Sequence, residues 1–565
     1  MFAGFPFCGI LQRYSVQTLI RKADKMIKKY LTIAIAIFTS LLIPTTIYAN
    51  APQGFLRVGL SSPAQGIQSN SSSLDVFFIR DGHFANMGTV TGGDTFTVTV
   101  DNSYYVFLNY AVANPISEGF SVAAQLASGR HAIPVLLESG SWGVFSGPFA
   151  SETEALSHTG ASVGALRAPT GRRLALYSGT QRIALFESND FSPFFADSRG
   201  GVVNINGYDY RGFLQAHRVG GNVTPINMVH MEDYLFSVVP SEMPASWHIE
   251  ALKAQAVAAR SYAYTRAGVH SDRGYDLCAA VCCQVYLGMR QESERSTAAV
   301  NYTRGIFALH GGNVINAVYS SSSGGVTDDS ENVWSDASPY LRSVADVHDT
   351  TGRQWSRTFT RSQLTQIAAA NNSGIGDVQS VHIASVSPSG RVQRLVITGQ
   401  SGQVTLEREA IRTFFSPASG GSLYSRNFRL DSFAISGLSP GAPGASSAFI
   451  IGDSGPVPLA INALNFLNSA GEIAPLTTGN VNVQNADGRR VMSPGGTAGT
   501  PAVSHNVQVT GGLSSSAYSI TFVGRGWGHG VGMSQHGARG MAEAGYTFDQ
   551  ILKHYYTGIT LTTRN

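Results

Sequence analysis

One carboxylate, Glu242, stands in the apolar stretch Val238–Pro244 and has the setting of a proton donor. Apolar surroundings disfavour the ionised form of a carboxyl group, so its pKa rises and it can act as an acid near neutral pH. A glutamate next to a helix start also interacts favourably with the helix dipole, which is an alternative without chemistry. The pattern predicts that the apolar stretch is a strand and that Glu242 lies at its end, just before a helix.

Three cysteines, Cys278, Cys282 and Cys283, form a second reactive group within one short segment. Tetrahedral zinc takes sulfur and nitrogen ligands, and His270 is the nearest histidine upstream, so these four side chains are a candidate structural metal site. In an exported protein the same thiols favour disulfides, and a Cys278–Cys282 or Cys278–Cys283 pair would leave one thiol free. Inert thiols are the third alternative, and the sequence leaves all three open.

The segment Gly452–Pro456 (GDSGP) is similar to the nucleophile motif of trypsin-like proteases. A nucleophilic serine needs a general base and an orienting acid, and the chain has no matching histidine segment upstream. The motif also lies in a stretch rich in glycine, serine and proline. We therefore predict a turn at this position.

Two helices are predicted to position the candidate groups. The first begins after Pro244 with Ser246 as its N-cap, because apolar residues follow at the spacing of one buried helix face. These residues are Leu252, Ala256, Ala259 and Ala263. The second begins at Thr547, where Thr547 and Gln550 have the spacing of a capping box, and ends at Gly558.

Alternating apolar and polar residues predict strands through the first part of the chain. The clearest are at 55–60 and 95–100, and residues 201–212 and 214–219 continue the pattern. The chain has 62 glycines without a three-residue period, which fits many turns between short strands and excludes collagen. The sequence therefore predicts an α+β fold rich in β-strands, with an alanine-rich helix in its catalytic domain.

Composition and charge exclude several classes of protein. Only 13% of the 565 residues are charged and 43% are hydrophobic, so the chain is neither a disordered polar tail nor a basic nucleic-acid binder. The excess of positive charge lies in residues 1–51, where two lysines precede the apolar run Leu31–Ile43 and an Ala-Asn-Ala site, as in a signal peptide. Met26 is a plausible true start. We expect an exported protein of the periplasm or cell-wall space, with no membrane span after the leader is cleaved; an uncleaved anchor is the alternative.

The expected domain organisation has four parts. They are a leader at 1–51, a β-rich region at 52–172, a catalytic domain at 173–435 and 517–565, and an inserted segment at 436–516 that is rich in glycine, serine and proline. One short helical piece is predicted near 461–468 inside the insertion.

Four ordered blocks closely resemble the signature of the stage II sporulation protein D and amidase-enhancer family. They are Tyr234–Trp247 with Glu250–Tyr262, Asp276–Tyr286, Tyr319–Trp334 with Pro339–Leu341, and Gly524–Gly540 with Ile551–Tyr556. The resemblance extends over about residues 173–565, interrupted by the insertion. A weaker resemblance, around Trp142–Phe149 within 114–165, is to a sporulation-related glycan-binding repeat, for which an ordinary hairpin is the alternative.

The family resemblance implies a lytic transglycosylase that cuts peptidoglycan glycan strands already stripped of stem peptides. Glu242 matches the glutamate of the family's Glu-Met-Pro motif, which is its catalytic acid, while Glu250 is expected to be a surface or capping residue. The products would be 1,6-anhydromuramyl ends. The alternatives are a non-catalytic glycan-binding partner of a cell-wall amidase, and a hydrolase with Asp276 or Asp346 as a second acid.

The glycine-rich blocks are similar to the lining of a sugar groove. Glycines allow close approach of a flat sugar, aromatic rings stack on it, and polar side chains donate hydrogen bonds. The expected substrate-binding residues are Tyr319, Ser322, Ser323, Gly324, Gly325, Trp334, Arg525, Trp527, His529, Ser534 and Gln535. His529 and His536 do not favour a second metal, because a glycine-rich stretch separates them and no carboxylate follows.

The cysteine segment departs from the family pattern, which commonly has a Cys…His-Cys arrangement. Cys278 and Cys283 match its two cysteines, whereas Cys282 stands where histidine is usual. Thiolate can replace imidazole on zinc, so the resemblance implies a metal that braces the loop without taking part in the reaction.

Overall fold

The computed structural model describes residues 54–60, 66–80, 83–91, 95–108, 132–137, 142–159, 165–187, 193–197, 201–219, 221–431, 448–452, 455–459 and 519–564. Two compact units are present. The first comprises Met1–Phe55, Ser61–Gly207 and Gly212–Met228, and the second comprises Leu56–Leu60, Tyr208–Arg211 and Val229–Asn565. The predicted leader, the start of the glycan-binding repeat and the helical piece near 461–468 lie outside the described residues.

Strands outnumber helices, which confirms the predicted α+β class. The helices are α1 (Glu152–Thr159), α2 (Met231–Glu242), α3 (Ile249–Arg266), α4 (Glu294–Tyr302), α5 (Glu331–Trp334), α6 (Arg361–Ala370), α7 (Ala410–Thr413), α8 (Gln535–Glu543) and α9 (Phe548–Tyr555). The strands are β1 (Phe55–Gly59), β2 (Gly66–Ser69), β3 (Ser73–Arg80), β4 (His83–Thr91), β5 (Phe96–Val100), β6 (Tyr104–Phe107), β7 (Ala132–Leu136), β8 (Trp142–Phe149), β9 (Leu166–Arg167), β10 (Leu174–Ser178), β11 (Gln181–Phe186), β12 (Phe194–Asp197), β13 (Val202–Ile205), β14 (Tyr208–Arg211), β15 (Phe213–Val219), β16 (Asn222–His230), β17 (Leu277–Cys278), β18 (Ile306–His310), β19 (Asn313–Val314), β20 (Tyr319–Ser320), β21 (Trp355–Thr360), β22 (Val378–Val386), β23 (Val392–Gly399), β24 (Gly402–Glu407), β25 (Phe428–Asp431), β26 (Ala448–Gly452), β27 (Gly455–Leu459), β28 (Ser519–Gly524), β29 (Met533–Ser534) and β30 (Thr560–Thr563).

The first unit is built from strands. Eight of them form a sheet in the order β2-β5-β10-β11-β7-β8-β6-β9, whose core includes Tyr105, Val135 and Phe145. Helix α1 follows β8 and packs its Ala155 against Val106 of this sheet. Strand β7, strand β8 and helix α1 follow one another within the segment 114–165 that resembles the glycan-binding repeat. The predicted boundary at 172/173 falls just before β10, inside this unit.

The second unit contains the predicted alanine-rich helix. Its predicted face is fully buried, with Leu252, Ala256, Ala259 and Ala263 all 0% exposed, because alanines allow neighbouring elements to approach closely. The helix is α3, and its N-cap is His248 rather than the predicted Ser246. The capping box of α9 at Thr547 and Gln550 is confirmed, and that helix ends at Tyr555. Glu250 is a capping residue, since its Oε2 accepts the N–H of Phe548 at 2.8 Å.

The predicted strand before Glu242 is wrong, because residues 231–242 form helix α2. Seven residues of this helix are buried, and six of them are consecutive, at 234–239. Its sequence therefore lacks the spacing of apolar residues that identifies a helix with one buried face. Its start is fixed by His230, whose Nδ1 accepts the N–H of Glu232, and by two acids in the first turn. Val238 and Val239 are β-branched residues, which are common in strands, and this explains the wrong prediction.

Within the segment 348–439, the described residues 348–431 form, together with β28, a subdomain of the second unit around a separate core. This core includes Phe359, Leu395, Phe415 and Phe522, and its sheets are β22-β23-β24 and β21-β28-β25. Strand β25 pairs with β28 in antiparallel register, so the chain leaves the sheet and returns to it at adjacent positions. The entropy cost of closing a loop grows only slowly with its length, so a long insertion at this point is compatible with the pairing of β25 and β28. Within the insertion, Gly452 pairs with Gly455 at the end of the β26–β27 hairpin, on either side of the predicted turn, whose residues 453 and 454 lie outside the described residues.

Candidate active site

Glu242 is the last residue of α2, and its carboxyl group is partly buried. Burial raises the pKa of Glu242, and the hydrogen bond from Val285 opposes that rise in part. The negative end of the α2 dipole also disfavours an ionised carboxylate at this position. The N–H of Val285 donates to Oε1 at 2.8 Å, while no described residue donates a hydrogen bond to Oε2. One carboxyl oxygen is therefore fixed and the other is available.

The backbone of Glu242 is held by a residue from a distant part of the chain. Gln535, the first residue of α8, donates from Nε2 to the Glu242 carbonyl at 2.9 Å and to Gln255 Oε1 at 3.3 Å. This contact satisfies a carbonyl that the helix end leaves without an intrahelical partner. Gln535, which was predicted to bind substrate, thus positions the carboxyl-bearing residue.

Three tyrosines, Tyr234, Tyr262 and Tyr319, lie close enough to Glu242 for its charge to act on them. Burial raises the pKa of each phenol, and the charge of Glu242 adds to the rise in all three. Gln284 joins two of them, since Tyr234 donates to its Oε1 at 3.0 Å and its Nε2 donates to the Tyr319 hydroxyl at 2.9 Å. The Tyr319 oxygen therefore accepts a hydrogen bond, which leaves its own proton free to be donated.

The cysteine segment at 278–283 ends two residues before Val285, whose N–H binds the carboxyl group of Glu242. Cys278 and Cys282 form a disulfide, and Cys283 is a free thiol. The Cys283 sulfur lies 3.4 Å from Nε2 of His270 and accepts the N–H of Cys278 at 3.4 Å. The sulfurs and one ring nitrogen of the four predicted ligands all lie within 4.8 Å of one another. The fold therefore assembles the predicted set of side chains, with two of its sulfurs joined.

The serines predicted to contact substrate form a buried network instead. Ser322 and Ser323 are at most 1% exposed, and their hydroxyls donate to Asp349 and Asp346 respectively. Ser534 caps α8 and accepts the N–H of Ser323 at 3.2 Å. These hydroxyls are used inside the protein, so they build the wall of the site and do not face a ligand.

The glycine-rich blocks pack backbone against backbone. Gly324 and Gly526 have positive φ angles of 73° and 82°, and a Cβ on Gly324 would lie 2.9 Å from the nitrogen of Gly526. Their lack of a side chain serves this close contact. Gly325 is different, because a Cβ placed there would meet nothing within 4 Å, so its surface is open.

His529 has a structural role with both ring nitrogens occupied. Its Nε2–H donates to the Tyr319 carbonyl at 3.0 Å, and its Nδ1 accepts the N–H of Val531 at 3.1 Å. Burial, the first cause, lowers the pKa of His529 to about 3. Both ring nitrogens of the neutral ring are engaged within the protein, so they offer no hydrogen bond to a ligand, and His529 positions Tyr319.

The predicted residues with an open surface are Trp334, Trp527 and Arg525. The two indoles are 39% and 38% exposed, and Trp527 stacks on Tyr424 with 4.0 Å between ring centroids. Sequence reasoning missed Tyr424, as it also missed Gln284 and Val285. Gln284 and Val285 lie within the recognised block Asp276–Tyr286, whereas Tyr424 lies outside all four blocks, and no pattern in the sequence marks their roles.

The segment of the chain that contains Glu242 is similar to known proteins. Residues 219–310 match the family model described as stage II sporulation protein. The chain is 31% identical to the amidase enhancer of Bacillus subtilis over 332 residues and 25% identical to its stage II sporulation protein D over 354 residues. Residues 219–310 therefore form a domain of the stage II sporulation protein D/amidase-enhancer family. Residues 219–310, which match the family model, include α2, α3 and the cysteine segment.

The coverage of these relatives is partial. The alignments span 58% of this chain and 40% of the amidase enhancer, and 60% of this chain and 76% of the sporulation protein. Residues 348–439 match a separate model, which is described as a domain of unknown function (DUF8618). Among the described helices, none combines the length and apolar character needed to cross a membrane.

Proposed function

We propose that this family member is a lytic transglycosylase that cleaves stem-peptide-free glycan strands of peptidoglycan, with Glu242 as its acid. The observation behind the proposal is a partly buried carboxyl group with a raised pKa, one fixed oxygen and one available oxygen. Such a group holds its proton at higher pH than an ordinary glutamate and can present it to a substrate. Membership of the family supports a role at the cell wall.

A single carboxyl group is sufficient for the proposed reaction. Glu242 protonates the glycosidic oxygen as the bond to the muramyl C1 breaks, and the glutamate becomes a carboxylate. The carboxylate then removes the proton from the muramyl C6 hydroxyl, whose oxygen attacks C1 and closes the 1,6-anhydro ring. Because nucleophile and electrophile belong to one sugar, the step gains from proximity and consumes no water.

Tyr319 is the proposed partner of Glu242. Gln284 fixes its phenol as a hydrogen-bond donor, as described above, and the same network ties it to Tyr234. A neutral donor beside the acid can stabilise negative charge that develops on a sugar oxygen.

The two acids considered for a hydrolytic route are engaged elsewhere. Asp276 pairs with Arg57, with 3.2 Å between Oδ1 and Nη2. Asp346 is 2% exposed and accepts hydrogen bonds from Ser323 and Tyr555. Hydrolytic glycosidases usually need a second free carboxyl group across the scissile bond, so these contacts support the intramolecular route.

A structural zinc remains part of the proposal. His270 and the three thiols provide the nitrogen and sulfur donors that zinc prefers, and their spacing suits one ion when all three thiols are reduced. With Cys278 and Cys282 joined, only Cys283 and His270 remain as ligands. Bound there, zinc would brace the loop that ends at Val285 and would take no part in the proton transfers.

The test compares the wild-type chain with Glu242→Gln on denuded glycan strands. We expect products from the wild type only, with the mass of anhydro ends, which is one water lighter than hydrolysis products, while the variant still binds the strands. Products with reducing ends would refute the intramolecular route. Equal cleavage by both proteins would refute the role of Glu242.

The name of the Bacillus relative favours a second candidate, a non-catalytic glycan-binding protein that stimulates a cell-wall amidase. Peptide release from intact sacculi by a purified amidase would be measured with and without the chain. Equal stimulation by the wild type and Glu242→Gln, with no glycan cleavage by either protein, would support this candidate over the enzyme.

A further inference from the structure

Residues 525–528 are held between two parts of the second unit. On one side the N–H of Trp527 donates to the Ser322 carbonyl at 2.8 Å, and the N–H of Ser322 donates to the Trp527 carbonyl at 3.1 Å. On the other side the N–H of Gly528 donates to the carbonyl of Tyr424, which belongs to the subdomain at 348–439. The exposed indole of Trp527 is therefore fixed in place by that subdomain.

A cation lies over this indole. The guanidinium carbon of Arg353, another residue of the subdomain, is 4.7 Å from the centroid of the Trp527 ring. Its Nη1 donates to Ser321 Oγ at 3.2 Å and to His536 Nε2 at 3.4 Å. Within the described residues, no carboxylate forms an ion pair with Arg353, and no protein atom accepts from its Nε or Nη2. These two donors form the side of the guanidinium that binds a carboxylate with two parallel hydrogen bonds.

The backbone of Arg353 supports a dedicated role for its side chain. Its φ angle is 33°, in the left-handed region that residues other than glycine rarely adopt, and it follows Gly352, whose φ is 52°. Backbone conformations of this kind cluster at functional sites, where the surrounding structure maintains them.

Two adjacent residues link the cation to the proposed acid. His536, which contacts Arg353, directly follows Gln535, which holds the carbonyl of Glu242. A glycan strand that extends from Oε2 of Glu242 along this link would meet the guanidinium of Arg353.

We propose that Arg353 recognises the lactyl carboxylate of muramyl residues that have lost their stem peptides, while the exposed edge of the Trp527 indole packs against the sugar ring. This inference rests on the proposed function and extends it to substrate choice. Hydrolysis of the amide between the lactyl group and the peptide leaves a carboxylate on the glycan, whereas a peptide-bearing strand has a neutral amide there. A two-pronged cation distinguishes these groups by charge and by shape. The subdomain at 348–439 thereby acts as the specificity module of the enzyme.

The test measures binding in the full chain with Glu242→Gln, so that no cleavage occurs. Three ligands of equal length are compared by calorimetry: a denuded muramyl oligosaccharide, the same compound with its carboxylates converted to methylamides, and a chito-oligosaccharide without lactyl groups. We expect the carboxylate form to bind about tenfold more tightly than the amide form, since charge-assisted hydrogen bonds are the stronger kind. The preference should weaken at high salt.

Adding Arg353→Gln should remove this preference and leave binding of the chito-oligosaccharide unchanged. Arg394→Gln is the matched control, because Arg394 is an exposed arginine of the same subdomain that is paired with Glu407, and it should keep the preference. If Arg353→Gln does not fold, Arg353→Gly suits the positive φ angle and serves the same purpose.

Equal binding of the acid and amide forms, or a preference that survives loss of Arg353, would overturn the inference. Its failure is distinguishable from failure of the proposed function. If wild type cleaves both forms equally well, the enzyme proposal stands and the role of Arg353 is refuted. If nothing is cleaved but the Arg353-dependent preference is present, recognition is supported and the enzyme proposal fails.

Discussion

Replacing Arg260 by methionine should destabilise the second unit by about 3–5 kcal/mol, because it leaves a buried carboxylate without its cation. Arg260 of α3 and Glu232 of α2 form two parallel hydrogen bonds of 2.8 and 2.7 Å, and the two residues are 0% and 4% exposed. Arg260 Nη1 also donates to the Ile306 carbonyl, and Glu232 Oε1 accepts the N–H of Gly305. After the substitution, that backbone N–H is the only one of these partners left for Glu232.

The magnitude comes from the asymmetry between breaking and removing a buried pair. Loss of Arg260 alone leaves the buried carboxylate of Glu232 unpaired. The double variant Arg260→Met/Glu232→Leu removes both charges, so it should lower the free energy of unfolding by no more than about 2 kcal/mol. Breaking the exposed pair Arg539–Glu543, whose side chains are 41% and 51% accessible, should cost less than about 1 kcal/mol.

The free energy of unfolding would be measured by urea titration at pH 7. The pair anchors the helix that ends at Glu242, so cleavage of denuded glycan would be followed in parallel. A cost below about 1 kcal/mol for Arg260→Met, or a double variant as unstable as the single one, would refute the reasoning.

Three further predictions follow from the site. Since burial raises the pKa of Glu242, the acid form persists to higher pH, and kcat/KM should fall on the alkaline side as pH passes through that pKa; a kcat/KM that stays level across this fall would contradict the role of Glu242 as the acid. The pKa of His529 is lowered to about 3, so the contribution of its neutral ring to stability is complete above pH 6.5 and is lost as pH falls toward 3. Urea titrations at pH 5 should show a free energy of unfolding that is lower by about 2 kcal/mol from this group. In His529→Gln the free energy of unfolding should depend less steeply on pH. With all thiols reduced, equimolar zinc should raise the melting temperature of the wild type, and Cys283→Ser should abolish most of the rise; an equal rise in both proteins would exclude Cys283 as a ligand.

Local signals predicted the parts of this fold that have one-sided or capped patterns. Helix α3 was evident from its alanine face and α9 from its capping box, and both patterns report contacts within a few residues. Helix α2 was misread because it is buried on nearly all sides, a state that requires knowledge of the tertiary structure. Burial by distant elements leaves no periodic trace in the sequence of the buried element.

The candidate site shows the same division. The Glu242 motif was recognisable, yet the groups that tune the carboxyl, Val285 and Gln535, are 43 and 293 positions away. The glycine and serine motifs were also recognisable, but they build walls, since Ser322 and Ser323 are buried and bonded to aspartates. A motif therefore identifies a segment of the site without saying which of its atoms face the ligand.

Three consecutive residues connect the cysteine chemistry to the proposed acid. Cys283 contacts His270, Gln284 bridges Tyr234 and Tyr319, and Val285 donates to Glu242. The Val285 hydrogen bond is the contact that opposes the rise in the pKa of Glu242, so a shift of this loop that lengthened it would raise that pKa further. The Cys278–Cys282 disulfide lies in the same short segment, and a metal held by these residues would lie there as well. A restraint on this segment would act on the pKa of Glu242 through the position of the Val285 backbone, without contact with the carboxyl group.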